Sequence, residues 1–105
     1  MKSINEIRND LRQIKYYYSR KKKLDVGFGN TGVNEVITLA SEYNNLIKNA
    51  PPRLYDVYVE LYLNNQTQDS LADEFGVSQS YIYQKNKQLL EFFETALKSN
   101  EIKNN

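Results

Sequence analysis

The residues that interrupt helices are few in this chain, and they fall in few places. The only prolines are adjacent, Pro51-Pro52, and three of the four glycines lie at Gly27, Gly29 and Gly32. Elsewhere the one such residue is Gly76, and no apolar-polar alternation of period two reaches a useful length. The sequence therefore predicts an all-α fold, a small helical domain. A chain of 105 residues makes one such domain, burying about 60–70% of the surface its unfolded form exposes.

Composition removes most chemistry. Neither histidine nor cysteine occurs, which takes away the commonest general base, the commonest metal ligand, thiol nucleophiles and disulfides together. No set of nucleophile, base and oxyanion donors can be assembled, so an enzyme is not expected, nor a metal or other cofactor. Apolar runs span a few residues where a bilayer needs about 20, and Met1-Lys2-Ser3-Ile4-Asn5-Glu6 has no apolar signal core. These features predict a cytoplasmic protein without a membrane partner.

Charge is divided unevenly. Residues 1–24 carry Lys2, Arg8, Arg12, Lys15, Arg20, Lys21, Lys22 and Lys23 against Glu6 and Asp10, a net of +6, and the remainder carries −5. Such a separation favours an acidic partner for the N-terminal segment: nucleic acid, an anionic surface or an acidic protein. Ile4, Ile7, Leu11, Ile14 and Tyr18 share one stripe of a helix, a seam that packs on the rest of the domain or supports a homodimer. Arg8, Arg12 and Lys15 lie off that stripe, toward solvent or phosphate. In Tyr16-Tyr17-Tyr18-Ser19-Arg20-Lys21-Lys22-Lys23 aromatics precede cations, and the expected arrangement packs the tyrosines inside while Arg20 to Lys23 reach phosphate or an acidic partner.

Residues 1–32 read as a basic helix followed by a glycine-containing loop. Its Gly27-Phe28-Gly29-Asn30-Thr31-Gly32 has G-x-G-x-x-G spacing without a preceding strand, so it is a connector. Residues 33–98 read as the helical domain and 99–105 as a frayed tail. In the first helix of that domain Val33, Val36, Ile37, Ala40, Tyr43, Asn44 and Ile47 form the inward set, with one polar exception. Pro51-Pro52 starts the next helix, whose stripe is Leu54, Val57, Tyr58 and Leu61 with Tyr55 and Tyr62 beside it. Asn64-Asn65-Gln66 ends it.

Residues 67–97 carry the functional signal, a helix-turn-helix. Thr67 caps a short helix through Phe75, Gly76 supplies the positive φ of the turn, and Ser78 caps a second helix running to about Leu97. Ala72 is small where the helices cross, and Leu71, Val77 and Ile82 plug the angle between them. Phe75-Gly76-Val77-Ser78-Gln79-Ser80-Tyr81-Ile82-Tyr83-Gln84 resembles the helix-turn-helix of region 4 in bacterial sigma factors. The wider stretch from Leu46 to Leu97 is similar to the sigma-like late transcription activators of phages and mobile elements, the RinA and ArpU type. That resemblance covers about half of the chain and implies a DNA-binding transcription regulator.

Sigma region 4 usually carries arginines at the positions held here by Gln79, Tyr81 and Tyr83, and residues 67–90 have a net charge of −1. Phosphate neutralisation supplies most non-specific affinity, so this motif alone binds DNA poorly. Either the basic N-terminal segment or a dimer supplies the missing charge, or the ligand is a protein such as RNA polymerase or another transcription regulator. For double-stranded DNA the candidate contacts are Gln79, Ser80, Tyr81, Tyr83 and Gln84 in the major groove, with Lys85, Lys87, Arg20, Lys21, Lys22 and Lys23 on phosphates. A carboxamide both donates and accepts, which suits Gln79 and Gln84 to adenine.

Overall fold

Hydrophobic periodicity interrupted by few breakers produces five α-helices in a computed structural model that describes residues 2–24 and 31–104, with side chains described for 2–20 and 35–100. Helix α1 spans Ile4–Leu24, and α2 spans Thr31–Leu46 and tightens into a 3₁₀ turn at Ile47–Asn49. Helix α3, Pro52–Tyr58, opens into a π turn at Val59–Leu63, and α4 and α5 cover Gln68–Phe75 and Gln79–Asn104. No strand occurs among the described residues.

The α1 stripe is used inside the domain. Ile7, Leu11 and Ile14 are buried, with Ile4 and Tyr18 packed partly against the same core. A capping box starts the helix: the Glu6 N–H donates to Ser3 Oγ at 3.2 Å and the Ser3 N–H returns to Glu6 Oε1 at 3.0 Å. That backbone bond from Ser3, reinforced by the Ser3 hydroxyl, holds the Glu6 carboxyl below its usual range.

Phe93 of α5 stands in the centre of the core. Its ring meets Tyr43 of α2 edge-on at 4.8 Å and Tyr58 of α3 at 5.5 Å. Aromatic rings this deep need partners for their hydroxyls, and each has one. Tyr43 donates to Asp10 Oδ2 at 2.7 Å, Tyr58 to Asn44 Oδ1 at 2.6 Å and Tyr62 to Asn86 Oδ1 at 2.6 Å. Asn44 passes the network on by donating to the Tyr18 hydroxyl at 3.1 Å.

Burial pushes the hydroxyl pKa of Tyr43, Tyr58 and Tyr62 above the ordinary value of 10.0. The folded state therefore prefers the protonated phenols, and the stability this contributes is present below pH 10 and lost as pH rises past it. Lys15 opposes this in part, because burial lowers its pKa and favours the neutral amine. In an alkaline titration, the phenolate absorbance of these three tyrosines is expected to appear together with loss of helical circular dichroism. Helix that persists after all nine tyrosines have ionised would contradict this account.

Several sequence expectations need correction. Ile37, assigned to the inward face of α2, is 42% exposed, whereas the polar Asn44 on that face is a hub of the hydrogen-bond network. Tyr16 points outward and is 63% exposed, leaving Tyr17 and Tyr18 half-buried and edge-on at 5.2 Å. Helix α2 begins at Thr31 and so includes Gly32, and α5 continues to Asn104 rather than ending near Leu97. Lys15 turns inward: its Nζ donates to Leu61 O at 3.0 Å and Gln66 O at 3.3 Å. The Lys15 ammonium thereby satisfies Leu61 O in the last turn of its helix and Gln66 O in the segment leading to α4.

Candidate nucleic-acid interface

Local chemistry sets the junction of α4 and α5. Thr67 Oγ1 accepts from the Ser70 N–H at 3.0 Å, capping α4. At the other end Gly76 adopts φ 67°, its N–H reaching Asp73 O, while the Val77 N–H reaches Ala72 O at 3.0 Å. This is the paired-bond helix stop that favours glycine. A Cβ at Gly76 would meet nothing within 4 Å, so conformation rather than space selects glycine there. Ser78 Oγ then accepts from the Tyr81 N–H at 3.1 Å and starts α5. Leu71, Ala72 and Ile82 are buried in the angle, with Val77 packed partly beside them.

This junction fixes which side chains face outward. Gln79, Ser80, Gln84 and Lys87 are exposed, and Tyr83 is 64% exposed. Together with Gln68 and Asp69 they line one shallow depression between the first turns of α4 and α5. Its chemistry is mainly amide and hydroxyl, which both donate and accept, with the Lys87 ammonium as a donor. Asp69 at the rim disfavours phosphate and is suited to an amino group on a base edge.

Tyr81 behaves differently from Tyr83. It is half-buried against the core, with the Arg53 guanidinium 5.8 Å and Lys85 Nζ 5.3 Å from its ring centre. Arg53 also stacks on Phe75 at 4.6 Å. Lys85 itself is half-buried and donates to Gln88 Oε1 at 3.2 Å. Arg20 is exposed with its guanidinium 5.3 Å from the Tyr16 ring. Lys21, Lys22 and Lys23 continue α1, but their side chains lie outside the described residues, as do residues 25–30 of the glycine-containing segment.

Two cations outside the candidate contacts border this face: Arg8, which the sequence placed only toward solvent or phosphate, and Arg53, which it did not single out. Arg8 of α1 shares a groove with Tyr83, Asn86 and Lys87 of α5, and Arg53 of α3 reaches the opposite flank through Tyr81. Arg8 was legible as lying off the apolar stripe, but nothing local in sequence brings residue 8 beside residues 83–91. Among the described residues no group of acidic side chains is placed to hold a metal ion, and no helix is long and apolar enough to cross a membrane. Compared with known protein families, curated proteins and solved structures, the chain gives no match.

Proposed function

We propose that this protein is a helix-turn-helix transcription regulator of the sigma region 4-like kind used by phages and mobile elements, and that it binds double-stranded DNA through α5. The observation carrying this reading is the exposed strip of Gln79, Ser80, Tyr83 and Gln84 on the opening turns of a helix held at a left-handed glycine turn. Gln79 and Gln84 bond adenine through both atoms of the carboxamide, Ser80 bonds base or phosphate, and the Tyr83 ring meets a thymine methyl. Lys85 and Lys87 take phosphates, as does the Arg20 to Lys23 run at the far end of α1. Tyr81 serves chiefly to hold the flank of α5.

Gln84→Ala tests this directly. It is expected to lose about 1–3 kcal/mol at one base position while non-specific duplex binding stays nearly constant, as read by competition between single-base variants of a bound duplex. An equal loss on every sequence would remove Gln84 from the base-reading set.

A second reading rests on Tyr83. A tyrosine 64% exposed beside an amide-rich surface is also suited to a protein partner, such as RNA polymerase or another transcription regulator. If Tyr83→Ala keeps full duplex binding and abolishes binding to purified RNA polymerase, the protein reading replaces the DNA reading.

A further inference from the structure

The DNA-binding reading leaves one physical problem, since residues 67–90 have a net charge of −1 and the phosphate backbone demands cations. We infer that α1 belongs to the DNA-contacting surface: Arg8 and Arg12, with Lys87, bind phosphates on one side of the Ser80 to Gln84 strip, and Arg53 with Lys85 binds those on the other. The inference rests on the reading of α5 given above and adds a second helix to it.

Helical geometry divides the strip into two flanks. At about 100° per residue, Tyr83 and Lys87 fall roughly 60–100° to one side of Gln84, and Tyr81 and Lys85 fall as far to the other. On the first side lies the groove that α5 forms with Ile4 and Arg8 of α1, lined also by Asn86. Arg8 and Arg12 are both exposed, one turn apart, and neither makes a hydrogen bond or ion pair with a described residue. Arg12 follows Arg8 one turn along the same face of α1, and the Tyr62 hydroxyl, bonded to Asn86 of α5, feels the positive charge of both. Glu91 closes the far end of the groove, so a phosphate is favoured only at the Arg8 and Lys87 end.

On the second side Arg53 is aligned by two aromatic rings, Phe75 at 4.6 Å and Tyr81 at 5.8 Å, and Lys85 lies over the same tyrosine. The major groove is about 12 Å wide and an α-helix fills it, so phosphates line both walls. Cations on both flanks match that arrangement. Adding Arg8, Arg12 and Arg53, together with Glu91 of the same groove, turns the local net charge from −1 to +1. Lys15, the third cation on this side of α1, is spent on the carbonyls of Leu61 and Gln66.

The test measures the affinity of the full chain for a short mixed-sequence duplex across a series of salt concentrations. Arg8→Gln with Arg12→Gln is expected to reduce the log–log salt slope by about 2, and Arg53→Gln by about 1, at roughly 0.9 per phosphate contact. Lys48→Gln with Lys98→Gln removes the same charge from exposed positions away from the strip and is expected to leave the slope unchanged. Circular dichroism of each variant establishes that it is folded. A slope unaltered in the Arg8, Arg12 variant, while Gln84→Ala still changes base preference, overturns the role of α1 and leaves the reading of α5 standing. An equal fall in the Lys48, Lys98 control overturns it as a net-charge effect. If the native chain shows no salt-dependent duplex binding, the DNA reading falls and this inference with it.

Discussion

Phe93→Ala is expected to lower the stability of the fold by about 3–5 kcal/mol, read as a shift in the denaturant midpoint at constant slope. Phe93 has no exposed surface and its ring contacts Tyr43 and Tyr58 edge-on. Truncation therefore removes the ring's transfer energy and both aromatic contacts, and leaves a cavity bounded by α2, α3 and α5. A domain of this size has a total stability of about 5–15 kcal/mol, so the variant lies near the edge of folding. A loss below about 1 kcal/mol would show that the core collapses into the space and that the central position of Phe93 is not what holds the helices together.

Ile82→Ala is expected to cost about 2–5 kcal/mol and, unlike Phe93→Ala, to disturb the proposed DNA face as well. Ile82 is fully buried on the first turn of α5, two residues from Gln84, with Leu71 and Ala72 of α4 in the same buried angle. Its side chain sets the height and tilt of α5 over α4. At temperatures where the variant is still folded, it is expected to bind every duplex more weakly, whereas Gln84→Ala loses preference at one base. Full affinity and unchanged preference in a folded Ile82→Ala protein would mean that the face does not depend on this packing.

What the sequence made legible was set by local rules. The spacing of Ile7, Leu11 and Ile14 marks a buried stripe, and Thr67, Gly76 and Ser78 mark helix ends because each bonds backbone groups within a few residues. What stayed hidden depends on neighbours distant along the chain. Lys15 turns inward because the carbonyls of Leu61 and Gln66 await it. Asn44 faces the interior because the hydroxyls of Tyr18 and Tyr58 meet there. Ile37 lies outward despite its apolar side chain, since Ala40, Tyr43 and Ile47 already fill the inward face of their segment. Half of the candidate site follows the same logic: Gln79, Ser80 and Gln84 are placed by the cap and the turn, but Arg8 and Arg53 arrive only through packing of α1 and α3.

The central claim is that the exposed strip on α5 reads duplex sequence while cations on both flanks hold the backbone. Selection of bound molecules from a random duplex pool, performed at low and at raised salt, tests it most directly. The account predicts one short enriched motif containing adenine positions, retained at raised salt and lost at one of those positions for Gln84→Ala. Retention of all sequences alike at low salt, with no motif and no binding at raised salt, would contradict it.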